Sequence, residues 1–342
     1  MPWLGVGAAC LFLLSCGEAG PGGPDGGAGP DASAPTDAGG WDGGPIDGGA
    51  GDGGPGDGGI DGGRDGGTAE GPCVTGGLAP GDHNLSLVHD GRLRRYLLHV
   101  PTGGDPTAPR PLVLDFHGFS GWKEQQAEYT RYPQLADEEG FLVAHPDGTG
   151  TPRGWNAGGC CGSADAEDVD DVGFVRAMVE QIRRVSCVDP RRVYATGFSN
   201  GGMFSHRLAC EASDLIAAVV PVAGGNLLSD DACQPSRPVP VLHFHGTADP
   251  IVRYEGSRLG FPDIPVMMAE WAARDGCDAV PVEISRMGDV HCETWPGCAG
   301  GVEVTLCTID GGGHVWPGTL GATQNIDATL AGWNFLSRFA LP

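Results

Sequence analysis

Short apolar runs alternate with amphipathic segments through most of the chain. The runs are too short for ordinary helices, so they predict buried strands at residues 112–116, 141–144, 193–196, 217–222, 239–244 and 302–309. Between them, apolar residues recur at near-helical spacing and predict helices at residues 124–139, 172–185, 202–210, 266–274 and 328–339. Strands that alternate with helices predict a mainly parallel sheet covered on both faces.

The residues before this alternation follow another pattern. Residues 84–89 and 92–100 flank the turn dipeptide Asp90-Gly91 and predict an antiparallel hairpin. An antiparallel start followed by alternating strands and helices favours the α/β-hydrolase arrangement, with helices on both faces of the sheet. In such a sheet the active groups lie in loops beyond the carboxyl ends of the strands.

The first fifth of the chain has a composition that cannot form a core. Residues 17–72 are almost entirely Gly, Asp, Pro and Ala, with Asp-Gly-Gly repeated, and predict a disordered, solvated tether. We expect residues 73–342 to form one α/β domain with a full hydrophobic core. The tether carries part of the net charge of −24, and the rest of the chain is acidic too. A nucleic-acid surface needs clustered Lys and Arg, so we expect no nucleic-acid partner.

Residues 1–16 are typical of an export signal. Residues 3–14 are apolar but too short to span a bilayer. The following Leu-Leu-Ser-Cys, which ends at Cys16, resembles the lipobox of bacterial lipoproteins, where the cysteine is lipidated after cleavage. Because residues 1–3 lack the usual Lys or Arg, a plain secretion signal is the alternative. We therefore expect an exported protein, either held at the cell surface or outer membrane by this lipid alone, or secreted.

The cysteines support an oxidising compartment. Two of the 12 cysteines lie in residues 1–16, and the even number that follows predicts disulfides in an exported chain. We expect Cys210 to bond Cys233, and Cys277 to bond Cys298. The adjacent Cys160 and Cys161 are poorly placed to bond each other, so each is expected to have a distant partner. Structural zinc is the alternative, but its short CxxC spacing is absent.

Residues 197–201, Gly-Phe-Ser-Asn-Gly, make Ser199 a candidate nucleophile. In a nucleophile elbow, glycines on both sides leave room for a serine on a strained turn between a strand and a helix. Glycine accounts for 61 of the 342 residues, so the pattern alone is weak evidence. Its position between a predicted strand and a predicted helix gives it weight.

A hydrolytic serine needs a base and an acid, which follow it in the order Asp, then His, in α/β-hydrolases. His314 follows the last predicted strand after three glycines, and Asp249 follows the strand at residues 239–244. We assign them as base and acid. The rival carboxylates are less well placed along the chain, either before Ser199 in a predicted first helical turn or very near His314: Asp168, Asp170, Asp171 and Asp310.

The oxyanion of the reaction needs backbone donors. The amide of Asn200 is expected to be one, and the amide of Phe119, in the loop at residues 117–120, the other. Trp155 and Trp316 lie in loops near these motifs. Each is either a wall of a pocket for an apolar or aromatic acyl group or a buried residue that packs its loop.

His243 and His245 suggest a different chemistry. Both imidazoles lie on one face of a predicted strand, as in some metallohydrolases. The expected Asp-His continuation is missing, because Thr247-Ala248 stands in its place. We therefore expect no metal.

With these residues placed, residues 73–342 resemble the polyhydroxybutyrate depolymerase and feruloyl esterase family of exported α/β-hydrolases, which includes LpqC-like lipoprotein esterases. The matching blocks occur in order at residues 117–118, 154–156, 160–161, 169–172, 197–202, 245–249 and 312–318. In that family Ser199, Asp249 and His314 would match the triad. The resemblance implies hydrolysis of carboxylic esters without a metal or organic cofactor.

The substrate and the alternatives are less defined by the sequence. Feruloyl or acetyl esters of plant polysaccharide and 3-hydroxybutyrate oligomers are the expected substrates, and no polymer-binding module is recognisable. The alternative is an inert surface scaffold whose Asp-Gly-Gly tract collects calcium, although the nonapeptide of a calcium-binding β-roll is absent. We expect a monomer.

Overall fold

The computed structural model describes residues 77–105, 107–257 and 260–342. All of them belong to one compact unit, Thr68–Pro342. The predicted signal, Cys16 and the tether lie outside the described residues. Within them, the strands are β1 (Gly81–His89), β2 (Arg92–Val100), β3 (Arg110–Phe116), β4 (Leu142–Pro146), β5 (Val188–Phe198), β6 (Ala218–Val222), β7 (Val241–Gly246), β8 (Val282–Met287), β9 (Val290–Trp295) and β10 (Val304–Ile309).

The helices of the described residues lie between these strands and after the last one. They are α1 (Lys123–Thr130), α2 (Tyr132–Glu139), α3 (Gly162–Ala166), α4 (Asp171–Val185), α5 (Asn200–Glu211), α6 (Ile264–Arg274) and α7 (Ala328–Leu336). No helix in this part of the chain is long and apolar enough to span a membrane.

All ten strands found in the described residues form one sheet in the order β1-β2-β4-β3-β5-β6-β7-β10-β9-β8. The six strands from β4 to β10 in that order pair in parallel, and the two strands at each edge pair antiparallel. The predicted hairpin and the mainly parallel sheet are thus confirmed. Because these strands are parallel, the loops after β3, β5, β7 and β10 all lie at the carboxyl ends of the strands, on one side of the sheet.

Burial follows the position of each strand in the sheet. Every residue of β3, β4, β6, β7 and β10 is buried, because helices cover both faces. One face packs around Trp155, Phe204 and Trp271, and the other around Trp316 and Trp333. At the edge, every residue of β8 is exposed, and this strand carries no buried apolar run. The sequence pattern therefore missed it.

One predicted helix is two helices in the structure. The segment 124–139 divides at Arg131, whose φ of 59° is left-handed and ends α1. Pro133 lies in the first turn of α2. Proline lacks the N–H that a continuous helix would need there, and its ring clashes with the preceding turn. The break is therefore a consequence of this proline.

The disulfides confirm part of the cysteine prediction. Cys210 bonds Cys233 and Cys277 bonds Cys298, as expected, and a bond between Cys292 and Cys307 joins the neighbouring strands β9 and β10. The prediction of distant partners for Cys160 and Cys161 is wrong, because these two cysteines bond each other. Their Cα atoms are 3.0 Å apart, and the peptide bond between them is cis.

Candidate active site

Ser199 occupies the turn between β5 and α5. Its φ of 55° and ψ of −118° are unusual for a residue with a side chain, and such strain persists only where the surroundings enforce it. The Ser199 amide donates to the Val222 carbonyl at 2.9 Å, and the Ser199 carbonyl accepts from the Met203 amide at 2.9 Å. A Cβ at Gly201 would overlap the Phe116 carbonyl oxygen. The structure therefore holds the predicted strand, tight turn and helix around this serine.

His314 and Asp249 lie together beyond the carboxyl ends of the parallel strands. His314 Nδ1 donates to Asp249 Oδ2 at 2.7 Å, and the carboxylate is fully buried. The other oxygen, Oδ1, accepts from the amides of Ile251 at 2.8 Å and Val252 at 2.9 Å. With its Nδ1 proton directed at the carboxylate, neutral His314 keeps Nε2 as an acceptor.

The imidazole lies next to the turn that carries the serine. The ring of Phe198, the residue before Ser199, has its centroid 4.8 Å from that of His314. Phe198 also packs edge-to-face against Tyr129, with centroids 5.5 Å apart. This aromatic contact joins His314 to the serine turn.

The rival carboxylates are engaged elsewhere. Asp310 lies 3.5 Å from His291, and Asp168 accepts from the Asn156 side chain. The remaining two rivals belong to the start of α4, where one caps the helix and the other forms a buried ion pair: Asp170 and Asp171. The carboxylate positioned at His314 is that of Asp249.

The loop after β3 lies against Ser199. A Cβ at Gly118 would be 3.4 Å from the Ser199 Cβ, an ordinary contact distance. His117 fixes this loop, because its Nδ1 donates to the Gly118 carbonyl at 2.7 Å and its Nε2 accepts from the Gly148 amide at 2.9 Å. Burial lowers the pKa of His117, which keeps the ring neutral in this role. Phe119 follows in the same loop.

Comparison with known proteins identifies the family. The family model "Esterase PHB depolymerase" matches residues 94–259. The chain is 35% identical over 262 residues to feruloyl esterase B of Piromyces equi, across 73% of this chain and 46% of that protein. It is 33% identical over 254 residues to the "Putative esterase NocK" of Nocardia uniformis subsp. tsuyamanensis, across 68% of this chain and 73% of that one. The chain belongs to the polyhydroxybutyrate depolymerase and feruloyl esterase family.

A solved structure agrees on the fold of this family member. The CE1 ferulic acid esterase of the anaerobic fungus Anaeromyces mucronatus superposes with a TM-score of 0.51 at 16% identity, over 78% of this chain and 93% of that one. At this identity the likeness shows the fold alone. The α/β-hydrolase arrangement predicted from the sequence is thus confirmed. The family match and the relatives at 33–35% identity confirm the predicted family resemblance, and the family is one of carboxylic-ester hydrolases. The chain spans about half the length of the Piromyces relative, 46%.

Both tryptophans proposed as pocket walls lie in the core of this esterase-family domain. Trp155 is fully buried, stacks on Phe204 at 5.3 Å between centroids, and donates its indole N–H to the His117 carbonyl at 3.0 Å. Trp316 is also fully buried, and its indole N–H donates to Thr329 Oγ1 at 3.0 Å. Of the two possibilities that the sequence allowed, the structure shows loop packing.

Asn200 has a second feature that the sequence reasoning missed. Its side-chain oxygen accepts from the Trp155 amide at 2.7 Å, and its Nδ2 donates to the carbonyls of Trp155 at 3.1 Å and Cys160 at 3.2 Å. These bonds fasten residues 154–161, which we call the tryptophan loop, to the start of α5. The signal in the sequence is an amide side chain directly after Ser199, and the structure shows that this side chain is fully buried.

A buried ion pair supports the tryptophan loop from behind. Arg94 Nη2 donates to Asp171 Oδ1 at 2.7 Å, and Asp171 Oδ2 accepts from the Asn156 amide at 2.8 Å. The Arg94 guanidinium also lies over the Phe174 ring, 3.9 Å from its centroid. Burial raises the pKa of Asp171 against the opposing pull of Arg94. Only the tertiary structure brings this strand residue to the start of α4.

Proposed function

We propose that the chain is an exported serine esterase in which Ser199, Asp249 and His314 form the catalytic triad. The observation that carries this proposal is the 2.7 Å hydrogen bond between Asp249 and His314, next to a serine held in a strained turn. The three residues follow parallel strands of one sheet and lie beyond the carboxyl ends of those strands. This is where α/β sheets place their active groups. Membership of an esterase family supports the same reaction class.

The proposed reaction proceeds through an acyl-enzyme. His314 Nε2 takes the proton from Ser199 as its Oγ attacks the ester carbonyl, while Asp249 stabilises the imidazolium that forms. The amides of Asn200 and Phe119 donate to the oxyanion of the tetrahedral intermediate. His314 then gives its proton to the leaving alcohol. Water, activated by the same base, hydrolyses the acyl-serine ester and restores Ser199.

The proposed substrates are carboxylic esters of the kind named for the relatives. Feruloyl or acetyl esters carried by plant polysaccharide are the first choice, and 3-hydroxybutyrate oligomers the second. The proposed catalysis needs no metal or organic cofactor, because the triad supplies both the nucleophile and the base. We propose that the enzyme acts as a monomer.

We further propose that Cys16 carries a lipid and that residues 17–72 hold the esterase away from the membrane. As a Gly-rich coil, this tether would have a root-mean-square span of about 40 Å. The disulfides of the catalytic domain support an oxidising, extracellular location. Replacement of Cys16 by Ser tests the anchor: the variant should leave the membrane fraction, whereas retention would contradict lipidation.

The catalytic proposal is tested with purified wild type and a matched pair of serine variants. Ser199→Ala should lower kcat by about 10⁴-fold or more, with the fold retained. Ser205→Ala is the control, because Ser205 is a buried serine of α5, the helix that follows Ser199, and its hydroxyl donates to the Gly201 carbonyl. Methyl ferulate, acetylated xylan and hydroxybutyrate oligomers identify the acyl class.

A fluorophosphonate probe gives a second readout for the same proteins. It should add one label to wild type and to Ser205→Ala, and none to Ser199→Ala, because only an activated serine reacts. Unchanged ester turnover by Ser199→Ala would contradict the triad. A wild type that neither turns over esters nor reacts with the probe would favour the inert scaffold.

A further inference from the structure

Three buried histidines stand in a row behind the acid of the proposed triad. His206 lies on α5, and His243 and His245 lie on β7. Their exposed fractions are 0%, 0% and 1%. The proposed reaction uses none of these rings, and an enzyme core does not bury three imidazoles without hydrogen-bond partners for them.

The rings form one continuous chain of hydrogen bonds. It begins at the Trp271 indole nitrogen, 3.1 Å from His206 Nδ1. His206 Nε2 lies 3.2 Å from His243 Nδ1, and His243 Nε2 lies 3.0 Å from His245 Nδ1. The chain ends at the Val252 carbonyl, 2.7 Å from His245 Nε2.

The two ends fix the direction of every bond. An indole nitrogen can only donate, and a carbonyl oxygen can only accept. His206 Nδ1 must therefore accept, which places its proton on Nε2, and the same reasoning passes through His243 to His245. All three rings are neutral, with each proton on Nε2. A further proton on any Nδ1 would set one donor against another.

The surroundings agree with neutral rings. Burial lowers the pKa of all three histidines, that of His206 to about 3. Arg274 of α6 disfavours a second positive charge near His206. Near His245, Asp249 favours the charge and His314 opposes it, but burial is the larger effect. The aromatic ring of Tyr254 also faces His245, with centroids 6.0 Å apart.

The residue that ends the row of hydrogen bonds, Val252, also supports the acid of the proposed triad. Val252 accepts from His245 through its carbonyl and donates through its amide to Asp249 Oδ1 at 2.9 Å. His245 Nε2 itself lies 3.5 Å from Asp249 Oδ2, the oxygen that binds His314. The histidine chain therefore acts on both oxygens of the carboxylate. It contacts Oδ1 through Val252, and His245 itself lies 3.5 Å from Oδ2.

We propose that His206, His243 and His245 are positioning residues for residues 247–252, the acid loop. Anchored at Trp271, their directional hydrogen bonds hold Val252 and thereby keep the Asp249 carboxylate directed at His314. The catalytic consequence rests on the proposed triad, whereas the order of the acid loop does not depend on it. Separate measurements of activity and of acid-loop order therefore distinguish a failure of this proposal from a failure of the proposed triad.

Two substitutions of His245, to Gln and to Asn, replace different nitrogens of its ring. In His245→Gln the side-chain amide can occupy the place of Nε2 and still donate to Val252. In His245→Asn the shorter side chain reaches only the place of Nδ1, so that bond is lost. We expect kcat to fall about tenfold in His245→Asn and to stay within about threefold of wild type in His245→Gln, with KM unchanged in both.

The matched control is His99→Asn. His99 is a largely buried strand histidine that pairs with Asp82 and Asp137 and has no part in the chain. This variant should keep the wild-type kcat. In an Asp249→Asn background, His245→Asn should cause no further loss of activity, because it acts through that carboxylate. Independent, multiplying effects of the two substitutions would overturn the proposal.

Amide hydrogen exchange tests the positioning without an ester substrate. Exchange at Ile251 and Val252 should be about tenfold faster in His245→Asn than in His245→Gln, and unchanged in His99→Asn. Equal exchange in the two His245 variants would overturn the proposal even if the enzyme is fully active. If His245→Asn does not fold, Trp271→Phe removes the first donor instead and should accelerate exchange at the same two amides. Unchanged exchange in Trp271→Phe would also overturn the proposal.

Discussion

The acid loop and the tryptophan loop both reach the serine turn, but different chemistry lies behind them. Three neutral imidazoles support the acid loop through a chain of directional hydrogen bonds. A buried ion pair between Arg94 and Asp171 supports the tryptophan loop, with Asn200 fastening it to α5. One support contains no formal charge, and the other contains two.

The difference predicts how each loop responds to change. A neutral chain carries no charge to desolvate, but it works with only one arrangement of protons, so acid disturbs it. A buried ion pair tolerates no loss of one partner, because the other is left charged in a dry interior. Removal of one partner should therefore affect the ion pair most strongly, whereas a fall in pH should disturb the neutral histidine chain.

The largest effect is expected from Asp171→Ala. It leaves the Arg94 guanidinium buried without its carboxylate, which should lower the free energy of unfolding by about 3–5 kcal/mol. Urea unfolding measures this, with Asp170→Ala as the control: that neighbouring carboxylate is half exposed and caps α4, so about 1 kcal/mol is expected. The double replacement Arg94→Leu, Asp171→Leu should be milder than the single one. A double variant less stable than Asp171→Ala would contradict the reasoning.

Asn200→Asp should have the next largest effect. The new carboxylate keeps the shape of the side chain but replaces its two donor hydrogens with an acceptor facing two carbonyl oxygens. We expect a loss of about 2 kcal/mol in the free energy of unfolding and at least about a tenfold lower kcat, because the tryptophan loop loosens beside Ser199. The same change at the exposed Asn84 is the control. Wild-type stability of Asn200→Asp would contradict the role of this side chain.

The next prediction concerns the histidine chain, whose effect on the free energy of unfolding depends on pH and, for each pH unit, is smaller than the two preceding effects. The folded-state pKa of His206 is about 3, below the unfolded reference of about 6.5, so the unfolded chain takes up the proton first as the pH falls. Its contribution to stability is therefore fully present above about pH 6.5 and is lost progressively below it, by at most about 1.4 kcal/mol per pH unit.

His206→Gln should flatten the acid limb of the stability curve by about that slope. Urea unfolding between about pH 4.5 and 6.5 measures the curves of both proteins. Parallel curves for wild type and His206→Gln would show that this ring titrates alike in the folded and unfolded states, contrary to its burial in the histidine chain.

The smallest effect is expected at the tip of the acid loop. The Ile251 side chain is 58% exposed, and the residue serves the site through its amide, which donates to Asp249. Ile251→Ala should change the free energy of unfolding by less than about 0.5 kcal/mol and leave kcat unchanged. A large loss of activity would show that the side chain, and not the backbone, orders this loop.

Much of the frame could be predicted because its signals are local. Apolar runs, the Asp90-Gly91 turn and the residues around Ser199 each constrain the backbone within a few positions. They indicated the hairpin, the parallel strands and the serine turn. The order Ser199, Asp249, His314 along the chain also suggested the site, since parallel strands end at one edge.

The sequence by itself therefore determined the alternation of elements, the family and the edge of the sheet at which the candidate residues gather. Only the tertiary structure decided that Asp249 and not Asp310 faces His314, that Trp155 is buried, and that Cys160 bonds its neighbour. It alone revealed the ion pair and the histidine chain. These features join residues far apart in sequence, and their geometry depends on how whole strands and helices pack, which no local pattern encodes.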